Sequence, residues 1–233
     1  MAHFRMAPLA LQAFIDDAGD PAIAADVVNW IERMPPDPSL ADYVRKLQRV
    51  ATGTTRYWDL ACALNFLARK LGPTRYLEIG VRRGKSMAQV AGQCPDCEVI
   101  GIDLWIQPYG GVDNPGPDYV RAQMLALGHR AALNFVSGDS RVELPKLVAA
   151  HPEGRFDIIT VDGDHSDEGA RFDLCTVAPL LNHGGYLLFD DLTHPGHTLG
   201  RVWKQFQQEY SQQFDFAENL RDHSGTGVAR RRA

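Results

Sequence analysis

Acids and one histidine recur where short hydrophobic runs stop: Glu78 in "LEIG", Asp103 in "GID", Asp139 in "SGDS", Asp162, Asp164 and His165 in "VDGDH", and Asp190 with Asp191 in "FDD". Carboxylates with no cysteine among them suit a hard divalent ion, magnesium first, with manganese or calcium as substitutes. Asp162, Asp190 and Asp191 are the candidates for that metal set. Asp164 and His165 follow Asp162 by two and three residues, and either could be a base. A histidine titrates near neutrality, and an ionised aspartate in a dry site still accepts a proton. The chemistry that needs both parts is transfer to a hydroxyl. An alcohol has a pKa close to that of water, ~15.7, so a cation that favours the deprotonated oxygen and a base that takes the proton both lower the barrier.

A second constellation is "EIGVRRGKS", Glu78 to Ser86. It ends like a phosphate-gripping loop, but such a loop needs four residues between its glycines, and Val81, Arg82 and Arg83 supply three between Gly80 and Gly84. ATP carries about four negative charges and would face a row of acids. A cationic or zwitterionic ligand fits better, above all one with ribose hydroxyls. Asp103 follows the glycines by about the interval at which dinucleotide folds place a ribose-binding acid. Arg82, Arg83 and Lys85 read as a solvated helix start, with a partner for a ligand carboxylate as the alternative.

These residues need a frame. After Pro73, apolar runs of four to seven residues alternate with helical patterns: "RYLEIG", "EVIGID", "LNFVSGD", "FDIITVDGD" and "GGYLLFDD". Continuous apolar strands imply burial on both faces, hence a parallel sheet between helices. In such a sheet ligands bind beyond the carboxyl ends of the strands, where the acids stand. "FDFAENL" and "GTGVARR" could close the sheet as a hairpin with one antiparallel strand. Residues 1–72 read as helices that cap the cleft. One starts at Asp20-Pro21, one carries the stripe Leu40, Tyr43, Val44, Leu47 and Val50, and one runs from about Arg56 to the stop at Gly72-Pro73. The Gly/Pro-rich stretch from Ile106 to Asp118 reads as a binding loop, with Trp105, Tyr109 and Tyr119 as a candidate aromatic wall. His194 and His197 read as a turn, with a place at the substrate pocket as the alternative.

The 233-residue chain is 45% hydrophobic and 23% charged, with a net charge of −5. This composition suits a globular protein and argues against a dedicated nucleic-acid binder. No apolar run reaches the ~20 residues of a membrane helix, and Asp16-Asp17 end the first apolar stretch without a cleavage signal. The expectation is a cytoplasmic protein with a small-molecule partner; homo-oligomer formation is left open. Four cysteines suit a reducing compartment. Cys94 and Cys97 read as structural, and Arg230 to Arg232 as a solvated tail.

From Tyr76 to about Arg231 the chain resembles a class I S-adenosylmethionine-dependent methyltransferase, with "LEIGVRRGKS", "GIDLW" and "SGDS" as its ordered motifs. The resemblance implies a Rossmann-like, seven-stranded α/β sheet with one antiparallel strand. It also implies a cofactor site. Glu78, Gly80 and Gly84 would line the methionine end, with Ser86 near its carboxylate. Asp103 would take the ribose, Trp105 would cover the adenine, and Asp139 with Ser140 would read its edge. Arg82 departs from the family, standing where the middle glycine is usual. The D-x-D and Asp-Asp pairs are similar to magnesium-dependent O-methyltransferases of antibiotic sugars (the macrocin type), in outline to catechol O-methyltransferase, and "DGDH" to a broader bacterial family. The resemblance implies methyl transfer to a hydroxyl of a sugar, natural product or phenolic, with Asp164 the base in the sugar-acting relatives. Two alternatives stand beside it: a P-loop-like phosphotransferase, and a cofactor-binding protein without catalysis.

Overall fold

The computed structural model describes residues 11–108, 111, 113–150, 155–221 and 224–232. Tyr109 lies outside the described residues. The chain opens with α1 (Leu11–Ala18), α2 (Pro21–Glu32), α3 (Ala41–Ala51) and α4 (Leu60–Leu71). Asp20 caps α2 by accepting the Ala22 N–H at 2.8 Å, and Pro21 costs nothing in a first turn whose N–H has no helical partner. The α4 helix starts four residues later than the pattern suggests. Asp59 accepts the Cys62 N–H at 3.0 Å, so the cap sets the start and 56–59 stay outside. Gly72, left-handed at φ 54°, ends the helix, as its lack of a Cβ allows. Every residue of α4 from Leu60 to Ala68 is buried, whereas only Leu47 of the α3 stripe is fully so. The α4 helix is therefore the inner one and α3 the outer.

The sheet follows: β1 (Arg75–Ile79), α5 (Lys85–Ala91), β2 (Glu98–Asp103), α6 (Pro117–Ala126), β3 (Leu133–Ser137), α7 (Ser140–Ala150), β4 (Phe156–Val161), α8 (Asp167–Val177), β5 (Leu181–Phe189), α9 (Leu199–Glu209), β6 (Phe214–Asn219) and β7 (Thr226–Arg231). Seven strands lie in the order β3-β2-β1-β4-β5-β7-β6. The β7 strand runs against β5 and β6, so it is the one antiparallel strand, inserted between them. Successive residues point to opposite faces of a strand. Tyr76, Val99, Ile158 and Tyr186 accordingly join the core under the N-terminal helices, while Leu77, Ile100, Ile159 and Leu187 join the core under α8 and α9. Each fully buried large side chain contributes roughly 1.5–3 kcal/mol, enough that the sheet is the rigid part on which the loops stand.

The Arg-rich end is not a free tail. Arg230 and Arg231 belong to β7, and Arg231 donates to the main-chain carbonyl of Pro179 at 3.0 Å. The Gly/Pro-rich stretch ends at Gly116, because Pro117 opens α6. Cys94 and Cys97 are unpaired thiols between α5 and β2; burial pushes the Cys94 thiol up to about 11, which leaves it inert near neutrality. No helix among the described residues is long and apolar enough to cross a membrane.

Candidate active site

Strand order reverses between β1 and β4, the place where open α/β sheets leave a crevice for ligands. The turns that follow these two strands meet there. Gly80 has φ 85°, and a Cβ on it would lie 1.8 Å from the Asp162 carbonyl oxygen. Gly84, at φ 76°, precedes α5, and a Cβ would press on Val120 of α6 at 2.8 Å. Arg82, in the family's middle-glycine position, takes φ 51°. It reproduces a glycine-like turn at a steric cost that an L-residue carries. Its N–H donates to Asp103 Oδ2 at 2.7 Å, and the Trp105 N–H donates to Oδ1 at 2.6 Å. Asp103 is thus aimed by two backbone donors and keeps further lone pairs toward the cleft.

Glu78 lies under this loop and is fully buried. It accepts hydrogen bonds from Tyr76 Oη at 3.1 Å and from the Ser86 hydroxyl. Burial pushes its carboxyl up to about 8, against the pull of those hydroxyls, and the charges of Asp162 and Asp103 raise it further. Ser86, expected beside a cofactor carboxylate, spends its proton on Glu78. Lys85 sits over the Tyr43 ring, 4.5 Å from its centroid. The Lys-Ser pair that suggested a phosphate loop is therefore committed to the protein itself.

The β4 and β5 ends carry the acid cluster. His165 Nε2 is 3.7 Å from Asp162 Oδ1 and 3.3 Å from Asp191 Oδ2. The nearby Asp162 carboxylate raises the imidazole's affinity for a proton above its ordinary value, and Asp191 adds to it. Enclosure at the cleft floor raises both Asp162 and Asp190; His165 pulls Asp162 back down while Asp191 raises it, Asp162 and Asp191 raise Asp190, and Lys85 opposes both shifts. Asp190 accepts from Thr226 Oγ1 at 2.8 Å. Among the described residues, the group of acids, histidines or cysteines whose ligating atoms all lie within 4.8 Å is His165, Asp191 and His197, and Asp162 and Asp190 are not in it. Asp164 turns away from this cluster. Its Oδ1 accepts the Ser166 N–H at 2.8 Å and its carboxyl occupies the space where Gly169 would carry a Cβ, at the start of α8.

On the other side of the sheet centre, Asp139 is tied to Arg141, accepting its N–H at 2.8 Å; that guanidinium holds the carboxyl below its ordinary value. Ser140 is buried, as is Asp173, whose carboxyl is pushed up to about 7 by desolvation and whose oxygens have no hydrogen-bond partner among the described residues. Trp105, at φ 53°, packs edge-on against Phe135 at 6.1 Å. A cleft of about 720 Å³ runs from Gly80, Ser86 and Asp162 to Met34 and Asp37 of the N-terminal segment. Arg83 crosses it. Its Nε pairs with Asp37 at 2.6 Å, and its other nitrogens donate to the Asp113 carbonyl at 2.9 Å and to Tyr119 Oη at 3.2 Å.

Several of these residues were not visible in the sequence. Asp173 lies eleven residues after Asp162, inside a helical pattern, with no turn signal to single it out. The Arg83–Asp37 pair joins segments 46 positions apart, and Thr226 meets Asp190 only through the β5–β7 pairing. His197 carried a signal, the "HPGH" turn directly after Asp191, but nothing in the spacing fixed its direction.

Residues 77–192 match the family described as "Methyltransferase domain". No curated protein matches the chain. Among solved structures, the SAH-bound methyltransferase PaMTH1 of Podospora anserina is 18% identical, with a TM-score of 0.58, covering 96% of this chain and 94% of that one. CalS11, a TDP-rhamnose 3'-O-methyltransferase of calicheamicin biosynthesis, is 18% identical with a TM-score of 0.56, covering 90% and 93%. TomG of Streptomyces achromogenes, an O-methyltransferase of tomaymycin synthesis in complex with SAM, is 19% identical with a TM-score of 0.56, covering 86% and 92%. These likenesses share the sheet just described, and the family match spans the glycine loop and every acid at the strand ends through Asp191. Residues 77–192 thus carry the sequence of a methyltransferase domain, and the chain shares the fold of these methyltransferases.

Proposed function

We propose that the protein methylates a hydroxyl of a small molecule, and that the acceptor's oxygen is deprotonated at the acid–imidazole cluster beside the cofactor cleft. The observation that carries this reading is the position of His165, 3.3 Å from Asp191 and 3.7 Å from Asp162, at the end of the strand next to the glycine loop. S-adenosylmethionine would supply an electrophilic methyl group on a sulfonium. Asp103, aimed by two backbone N–H groups, would bind the ribose. Glu78 under Gly80 would meet the cationic methionine end, with Ser86 orienting Glu78. Trp105, Asp139 and Ser140 would border the adenine. The helices through residue 72 would cap the cleft, tied down by Arg83 and Asp37.

The sequence left Asp164 and His165 open as bases. Asp164 is occupied in the turn before α8, where it accepts the N–H of the helix cap Ser166, and this favours His165. It would accept the acceptor's proton on its imidazole, and the neighbouring carboxylates would stabilise the imidazolium formed. A divalent cation would offset the carboxylate charge gathered at this floor, and Asp162 and Asp190, which lie outside the group of ligating atoms within 4.8 Å, would have to draw in around it. Asp162, Asp190 and Asp191 would hold it, and its charge would lower the pKa of the hydroxyl. Magnesium is the first choice for oxygen donors, with manganese or calcium as substitutes. The acceptor class in this reading is a sugar, natural product or phenolic, as CalS11 is an enzyme of calicheamicin biosynthesis and TomG is involved in tomaymycin synthesis.

The test is transfer of label from isotopically marked S-adenosylmethionine to a panel of hydroxylated acceptors, with and without chelator. Labelled product that disappears in chelator and returns with magnesium is the expected result. Full activity in chelator would remove the cation from the reading. A thermal shift with ATP but none with S-adenosylhomocysteine would revive the phosphotransferase alternative, and cofactor binding with no acceptor methylated would favour the non-catalytic one.

A further inference from the structure

The turn after β5 does more than lead into α9. Asp191 takes φ 63°. The His194 N–H then returns to the Asp191 carbonyl at 3.4 Å, and the His197 N–H to the His194 carbonyl at 3.2 Å. Two consecutive turns, the first through Leu192 and Thr193 and the second through Pro195 and Gly196, bring the segment back to the loop after β4. His194 stacks on His197 with ring centroids 4.7 Å apart and 24° between planes, and its Nδ1 accepts the Gly196 N–H at 3.1 Å. His197 is thereby brought 4.4 Å, centroid to centroid, from His165.

The outcome is an arrangement of donors unlike the acids of the cleft floor. One nitrogen from each of His165 and His197 and one oxygen of Asp191 all lie within 4.8 Å of one another. The 3.3 Å between His165 Nε2 and Asp191 Oδ2 is the separation of two adjacent ligands on an ion with ~2.1 Å bonds. His165 and His197 also line an open recess of about 610 Å³, so the remaining coordination positions face solvent. Two imidazoles and one carboxylate are a borderline donor set. Zinc, cobalt and iron in the +2 state bind imidazole well, and magnesium, which prefers oxygen and keeps its waters, does not.

We propose that His165, Asp191 and His197 bind a first-row transition-metal ion of the zinc or cobalt(II) type, at a site whose donors differ from the three-acid set. Asp191 belongs to both sets. A ligating nitrogen has no lone pair left for a proton, so an ion held here and proton acceptance by His165 exclude each other. The site would act as a brake on methyl transfer. That consequence rests on the proposed function, whereas the existence of the site does not.

The experiment is a titration of the cofactor-free protein with cobalt(II), followed by visible absorption and calorimetry, with zinc and magnesium as competitors. One ion per chain is expected, with d–d bands that zinc bleaches and equimolar magnesium leaves in place. His197→Ala and, as a second variant, His197→Asn should each weaken cobalt binding about tenfold or more while circular dichroism stays unchanged. Absence of the bands, bands identical in both variants, or loss of the bands to equimolar magnesium would overturn the proposal. Cobalt binding intact in a protein that methylates nothing would sink the functional reading and leave the site. Methylation without cobalt binding would sink the site alone.

Discussion

A methyl group on Gly80 would stand 1.8 Å from the main-chain carbonyl oxygen of Asp162. The turns after β1 and β4 touch with no room for a side chain, and at φ 85° the residue is also in the left-handed region. Gly80→Ala must therefore open the crevice at its narrowest point. The expected loss is ~2–4 kcal/mol of stability, read from urea midpoints, together with loss of S-adenosylhomocysteine binding by calorimetry. A variant that binds like the wild type would show that the contact does not matter.

Glu78 makes stability depend on pH. Its carboxyl is raised from 4.5 to about 8, so between those values the folded chain holds a proton that the unfolded chain has released. Stability contributed by that proton is full below about 4.5 and falls as pH rises toward 8, at up to ~1.4 kcal/mol per unit. Glu78→Gln should flatten this slope and melt above the wild type at pH 8, while binding S-adenosylmethionine more weakly. Calorimetry in buffers of different ionisation enthalpy should also show wild-type Glu78 releasing a proton when the cationic cofactor binds near pH 7. Equal slopes in the two proteins would assign the effect to another group.

His165 and Asp164 are neighbours with different partners. His165→Ala is expected to lower kcat by about 10²-fold or more with little change in KM for the cofactor. Asp164→Asn, which keeps an acceptor for the Ser166 N–H, should leave stability within ~0.5 kcal/mol and kcat within a few-fold. The reverse ranking of the two kcat values would transfer the base to Asp164.

The Arg83–Asp37 pair is the clasp between the glycine loop and the N-terminal helices. Its side chains are 19% and 11% exposed, so it is enclosed enough to couple its partners. A double-mutant cycle with Arg83→Ala and Asp37→Ala should return an interaction of ~1–3 kcal/mol. Each single variant should raise KM for S-adenosylmethionine more than it lowers kcat. Additive effects would mean that the two side chains act separately.

The strands, their order of use and the acids at their ends could be read from the chain, because parallel β/α units put continuous apolar runs and terminal turns in a fixed rhythm. The helix stop at Gly72 and the cap at Asp20 were legible for the same local reason. Directions of side chains were not. Asp164 and His165 are adjacent in sequence, yet one accepts the N–H of the α8 cap Ser166 and the other reaches Asp191, a choice made by the start of that helix. Ser86 looked free for a ligand because its partner Glu78 sits on the neighbouring strand. Arg83 looked solvated because Asp37 is brought to it only by packing of the N-terminal segment.

Arg82, Trp105 and Asp191 each hold a positive φ without being glycine, and they follow β1, β2 and β5 in turn. Each stores on the order of 1 kcal/mol of backbone strain, carried by the sheet beneath. The rim thus has less reserve than the strands, and local opening starts where reserve is smallest. On gentle warming the ligand-gripping turns should loosen while the sheet is still intact. The protein would lose its grip on small molecules several degrees before it loses its shape, and its working temperature would be set by three turns and not by its core.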